Sequence, residues 1–94
     1  MKINFSRLVG LKELRIILDP KCKASKGARE YVQKFYSQLK KKNPNLAILV
    51  RECEGVKPRL WVRYAEGREI SISLTNQDVS DIHKRLQAVG AVRS

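Results

Sequence analysis

The short distance between two strand-like segments in the middle of the chain most narrows what it can fold into. Residues 39–53 read LKKKNPNLAILVREC and residues 56–64 read VKPRLWVRY, with only Glu54 and Gly55 between them. In the first segment a basic helix runs into Asn43-Pro44, and an apolar run at 46–50 follows. Proline stops the helix because it lacks an N–H and restricts the residue before it. The second segment enters through Pro58 and alternates Leu60, Val62 and Tyr64 with Arg59, Trp61 and Arg63. A parallel crossover takes about a dozen residues or more, so residues 52–58 cannot hold one. The third strand must therefore run opposite to the second.

Upstream, Leu14, Ile16 and Leu18 alternate with Glu13, Arg15 and Ile17, the period-two pattern of a strand with one buried face. Asp19-Pro20 ends it. Ser25 is placed to cap a helix whose Ala28, Val32, Phe35 and Leu39 form one apolar stripe. The continuous apolar run at 46–50 predicts a strand covered on both faces or paired centrally. After the turn pair Glu66-Gly67, Ile70, Ile72 and Leu74 alternate with Glu69, Ser71 and Ser73, which completes a hairpin. Thr75 or Asn76 is positioned to cap a last helix, with Asp78 in its first turn. That helix carries Val79, Ile82, Leu86 and Val89 on one face, and Gly90 reads as its stop.

The expected order is β-α-β followed by β-β-α, with a right-handed, parallel first unit. The fold class is α/β, with a four-stranded mixed sheet and helices mainly on one face. Ninety-four residues allow one domain with one modest core: a basic N-terminal segment at 1–10 and a folded core at 11–92. With both helices on one side, the other sheet face carries Arg15, Ile17, Leu49, Trp61, Arg63 and Ser71 with little of the chain to cover it. A Trp among charges on such a face marks a partner-docking surface, with Arg15, Trp61 and Arg63 its candidate contacts. The alternative is that the N-terminal segment or the 52–58 loop folds over it.

Net charge is +11, and residues 1–44 hold 12 Lys/Arg against 3 Asp/Glu, whereas residues 45–94 hold 8 against 6. This favours an acidic partner, whether nucleic acid, anionic lipid or protein, without choosing among them. The densest basic patch is Lys34, Lys40, Lys41 and Lys42. The first twelve residues carry Lys2, Arg7 and Lys12 among Ile3, Phe5, Leu8, Val9 and Leu11, with no acid. They fit a short basic amphipathic mitochondrial targeting segment, or a tail leading into the first strand. No apolar run approaches the ~18 residues of a membrane span.

Catalytic chemistry is sparse. Two cysteines and the single histidine, His83, fall short of a tetrahedral zinc site. His83 follows core-facing Ile82 and reads as a boundary side chain. No glycine-rich phosphate loop or nucleophile-base pair is present, so neither cofactor nor small-molecule substrate is expected. Cys22 and Ser25 have C-x-x-S spacing just before the first helix, where Lys21, Lys23, Lys26 and the helix dipole would activate a thiol. Pro58, just before the third strand, is a candidate cis-proline of the kind found beside the active site of thioredoxins and glutaredoxins. Cys22 and Cys53 follow neighbouring parallel strands at the same end of the sheet, so they are either a disulfide or two reduced thiols.

The motifs Asn43-Pro44, Arg51-Glu52-Cys53, Pro58, Leu60-Trp61 and Arg63-Tyr64, with the L-K-E-L-R-I start at 11–16 and Gly27-Ala28-Arg29, carry a family resemblance. Over roughly residues 12–90 the chain resembles the small thioredoxin-like accessory subunits of mitochondrial respiratory complex I. The resemblance implies a thioredoxin-like fold reduced to its core and a non-catalytic role in assembly or stability of the matrix arm. It further implies other complex I subunits as partners, the large iron–sulfur subunit first among them. The implied location is peripheral, on the matrix side of the inner membrane, with no nucleic acid bound. One departure matters: the family's first cysteine usually lies directly after the first strand, where this chain has Asp19 and its cysteine three residues later, so the resemblance does not carry the family's redox-sensitive disulfide over to Cys22 and Cys53. A related family in the mitochondrial ribosome has the same short fold, and residues 25–30 suit it too. A monothiol glutaredoxin-like redox protein is the third reading.

Overall fold

The computed structural model describes residues 10–91, and side chains as far as residue 89. The expectations for the basic N-terminal segment therefore fall almost wholly outside the described residues. Four strands, β1 (Leu11–Leu18), β2 (Ala47–Glu52), β3 (Arg59–Tyr64) and β4 (Glu69–Ser73), and two helices, α1 (Lys26–Lys42) and α2 (Val79–Ala91), follow the expected β-α-β, β-β-α order. A single 3₁₀ turn at Lys23–Ser25 leads into α1. The sheet order is β2-β1-β3-β4, with β1 and β2 parallel and β3 antiparallel to both β1 and β4. The class is thus α/β with a mixed sheet, and β3 finds its partner in β1 rather than in the sequence-adjacent β2.

The alternation in β1 and β3 sends Leu14, Ile16, Leu18, Leu60, Val62 and Tyr64 to one face, where all are buried. They meet Ala28, Tyr31 and Leu39 of α1 and Ile82, Leu86 and Val89 of α2 in one cluster. A fully buried aliphatic side chain contributes about 1.5–3 kcal/mol, so this cluster is what holds the helices to the sheet. Val32 and Phe35, expected on the apolar stripe of α1, are only partly buried and pack against the cluster's margin. Tyr31 lies deeper, at 1% exposure, and shares a 2.9 Å hydrogen bond with Nδ1 of the buried His83, tying α1 to α2. Burial pushes the Tyr31 hydroxyl well above the ordinary phenol range, so it stays protonated. Gly27 is equally fixed: an added Cβ would lie 1.7 Å from the Gln77 carbonyl oxygen, because α1 runs directly against the loop before α2.

Several expectations are corrected. The apolar run at 46–50 forms neither a central strand nor one covered on both faces: β2 is an edge, with Ile48 buried and Leu49 43% exposed. Its outer rim is protected by α1, since the Tyr36 hydroxyl donates to Ile48 O at 3.2 Å and Lys40 Nζ to Leu46 O at 2.5 Å. These bonds occupy carbonyls that an unpaired edge would otherwise present to another chain. Ser25 precedes α1 but does not cap it; its Oγ accepts from the Asp19 N–H instead. The cap of α2 is Asp78, whose Oδ1 accepts from the Asp81 N–H at 2.9 Å, rather than Thr75 or Asn76. Gly90 does not end that helix, which continues to Ala91.

Candidate functional site

Strand register turns the sheet face opposite the helices into a grid of side chains. The pairings Glu13 with Ala47 and Arg63, and Arg63 with Glu69, make one row. Leu49, Arg15, Trp61 and Ser71 make the next, and Arg51, Ile17, Arg59 and Ser73 the third. Successive residues of a strand point to opposite faces, so these rows lie away from the core. Leu49, Arg51, Arg59 and both serines are exposed, and Ile17 and Trp61 half-buried. Leu49, at 43% exposure, is the one large apolar side chain among the described residues that counts as exposed.

The first two rows neutralise their own charge. Glu13 lies 3.2 Å from Arg15 and 3.9 Å from Arg63, and Glu69 lies 3.7 Å from each of the same arginines. The Arg15 guanidinium also sits over the Trp61 ring, 5.9 Å from its centroid, a cation–π arrangement. Arg15, Trp61 and Arg63 thus share one face, but the two arginines already face carboxylates of this chain, an arrangement their own alternation with apolar residues did not signal. The third row differs. Arg59 Nη1 donates to the Ser71 hydroxyl at 2.8 Å, and neither Arg51 nor Arg59 forms an ion pair among the described residues.

At the end of β1 the loops carrying the two cysteines are tied by one carboxylate. Asp19 Oδ1 accepts from the Lys21 N–H at 2.7 Å and the Cys22 N–H at 3.0 Å, while Oδ2 accepts from the Gly55 N–H at 2.7 Å. Arg29 Nη1 donates to the backbone oxygens of Asp19 and Cys22, at 3.0 and 2.6 Å. The bonds from Lys21 and Gly55, then Cys22 and the Arg29 charge, hold the Asp19 carboxyl below the usual carboxylate range against the opposing cost of burial. The Cys53 N–H donates to Leu18 O at 2.9 Å, one step beyond the Leu18–Glu52 pairing, which sets Cys53 opposite the Asp19 end of β1. Asp19 thereby joins, without a covalent bond, the two loops on which Cys22 and Cys53 stand as exposed, free thiols.

The redox arrangement is not assembled around Cys22. All peptide bonds among the described residues are trans, so the cis form expected at Pro58 is corrected; Pro58 is a buried trans residue whose carbonyl accepts from the Leu74 N–H at 2.9 Å. Ser25, the partner in C-x-x-S, is fully buried and engaged with the Asp19 backbone. The basic patch is also smaller than its sequence. Lys34, Lys41 and Lys42 are exposed, but Lys40 is spent on the β2 rim. The residues of this face and of the loop junction whose contacts sequence reasoning missed are Asp19, Glu13, Glu69, Arg51 and Arg59; for the face the one available signal was parity, since each of its arginines and acids shares the odd-numbered alternation of Trp61.

No helix among the described residues is long and apolar enough to cross a membrane. Residues 28–79 match the mitochondrial ribosomal protein L51 / S25 / CI-B8 domain. The chain is 42% identical over 81 residues to mouse NADH dehydrogenase (ubiquinone) 1 alpha subcomplex subunit 2, covering 86% of this chain and 82% of that one. It is 44% identical over 77 residues to the protein of the same name from Arabidopsis thaliana, covering 82% and 79%. To the NADH-ubiquinone oxidoreductase 10.5 kDa subunit of Neurospora crassa it is 30% identical over 89 residues, 95% of each chain. The chain belongs to the L51 / S25 / CI-B8 domain family, in the branch of the alpha subcomplex subunit 2 of respiratory complex I.

Proposed function

We propose that the chain is a non-catalytic accessory subunit of mitochondrial respiratory complex I, supporting assembly or stability of its matrix arm. It lies peripherally on the matrix side of the inner membrane, and its principal neighbour is the large iron–sulfur subunit. The observation that carries this reading is the identity of 42–44% to relatives named as complex I subunits, spread over 82–86% of the chain. A fold whose helices cover one sheet face while the other displays Trp61 and paired charges supports a role met through contact rather than chemistry.

Affinity purification of the tagged full chain from mitochondria tests it. Co-purification of flavin and iron–sulfur subunits, in step with NADH:ubiquinone oxidoreductase activity on a native gel, is the expected result. Recovery with mitochondrial ribosomal RNA alone would transfer the chain to the ribosomal branch of its family.

A further inference from the structure

The open sheet face is divided in a way that chooses its partner. Four charges at one end, Glu13, Arg15, Arg63 and Glu69, satisfy one another. At the other end Arg51 and Arg59 flank Ile17 in one row, with Leu49 and Trp61 in the row beside it. Neighbouring strands are about 4.8 Å apart, so the Arg51 and Arg59 backbones stand roughly 10 Å apart with an aliphatic floor between them. We infer that this strip of Leu49, Ile17, Trp61, Arg51 and Arg59 is a docking site for a protein segment that presents an apolar side chain flanked by carboxylates. The partner is a neighbouring subunit, so the inference rests on the reading of the chain as a complex I component.

Charge complementarity supports this occupant over the other acidic ones. A run of nucleic-acid phosphates tracking across the sheet would meet Glu13 and Glu69 within two strand rows of Arg51 and Arg59, whereas a short segment with localised carboxylates avoids them. An anionic membrane surface would meet the same acids. The exposure of Leu49 on an edge strand adds apolar area that neither phosphate nor headgroup uses. Tryptophan and arginine are the residue types most enriched at buried interface centres.

The test uses the tagged full chain in mitochondria, with the photocrosslinker p-benzoylphenylalanine introduced at position 49 and, as control, at exposed position 38 on α1. Position 49 should capture a segment of another complex I subunit that contains Asp or Glu, and position 38 should not capture that segment. Arg51→Glu/Arg59→Glu should reduce retention in the complex by about tenfold or more, and reversing the acids of the captured segment should restore it. Far-UV circular dichroism and thermal unfolding of the purified double variant control for folding; if it unfolds, Arg51→Gln/Arg59→Gln takes its place. Capture of RNA or lipid at position 49, no capture there, or unchanged retention of a folded double variant would each overturn the docking site. If wild-type chain fails to co-purify with complex I at all, it is the subunit reading that falls.

Discussion

The two faces of this sheet are built from the same four strands yet obey different rules. On the covered face, Leu14, Ile16, Leu60 and Val62 are each at most 3% exposed, and their identities are dictated by close packing. On the open face, the side chains between them are matched across strands by charge, as Glu13 is to Arg63 and Arg63 to Glu69. The covered face supplies most of the buried apolar packing; the open face, partly in solvent, is freer to carry recognition. Adjacent positions in one strand should therefore respond to substitution by very different amounts.

The largest contrast is between Leu60 and Leu49. Leu60 is 0% exposed at the centre of the core, so Leu60→Ala should destabilise the domain by about 2–5 kcal/mol. Leu49→Ala truncates a side chain that is 43% exposed and should cost about 1 kcal/mol or less. Urea denaturation of both variants measures the difference, and comparable losses would end the distinction between the faces. Next comes Gly27→Ala, which drives a methyl group into the Gln77 carbonyl. Since the obstacle is backbone, the cost should be about 1–3 kcal/mol, despite alanine's better helix propensity. A neutral or stabilised variant would show that α1 and the loop before α2 slide apart freely.

The covered face was legible in the sequence because it depends on alternation within each strand, which period-two and helical spacing report directly. The open face and the loops were less so, because their logic is non-local. That residues 46–50 form an edge follows from β3 choosing β1 as its neighbour, and nothing in the apolar run itself encodes that choice. The stripe of Ala28, Val32, Phe35 and Leu39 leaves out Tyr31, whose partner His83 lies 52 residues away. Asp19 read only as a strand end, since its bond to the Gly55 N–H spans 36 residues. Alternation did reveal that Trp61 faces away from Leu60 and Val62; it could not reveal that Glu13 and Glu69 would come to sit beside Arg15 and Arg63.

Between the two faces stands the Asp19 junction, where pH should separate backbone anchoring from packing. The folded-state pKa of Asp19 is depressed by the N–H groups of Lys21, Gly55 and Cys22 and by Arg29. Its contribution is therefore fully present above the unfolded carboxylate pKa of about 4 and is lost as pH falls through the lower folded value. Asp19→Asn should lower the thermal midpoint at pH 7, by less than Leu60→Ala does, and the gap to wild type should narrow as pH drops below about 4. A gap that is constant from pH 7 to pH 3 would mean that the charge of Asp19 contributes nothing to the loops it joins.

Trp61→Ala sharpens the comparison within β3 itself. Trp61 is half-buried on the open face with the Arg15 guanidinium 5.9 Å from its ring centroid, whereas Leu60 next to it is sealed in the core. Loss of the cation–π contact and some apolar cover should cost the free chain about 1 kcal/mol, while retention in the complex weakens far more. Unfolding of the isolated variant would make Trp61 a core residue and remove the basis for docking on this face.

The smallest effect should come from the charge quartet. Glu13, Arg15, Arg63 and Glu69 keep 20–49% of their side chains in solvent, where water screens the attraction and side-chain entropy offsets it. Glu13→Gln should therefore shift stability by less than about 1 kcal/mol, and that shift should shrink further at 1 M salt, where the screening length falls to about 3 Å. Its consequence belongs to recognition: with Glu13 neutral, Arg15 and Arg63 lose their shared carboxylate and the quartet end of the face becomes positive. The isolated chain should then bind a polyanion such as heparin more tightly while its unfolding midpoint barely moves. Unchanged heparin affinity would show that Glu69 alone suffices to hold both arginines, and a large loss of stability would show that the open face carries part of the fold after all.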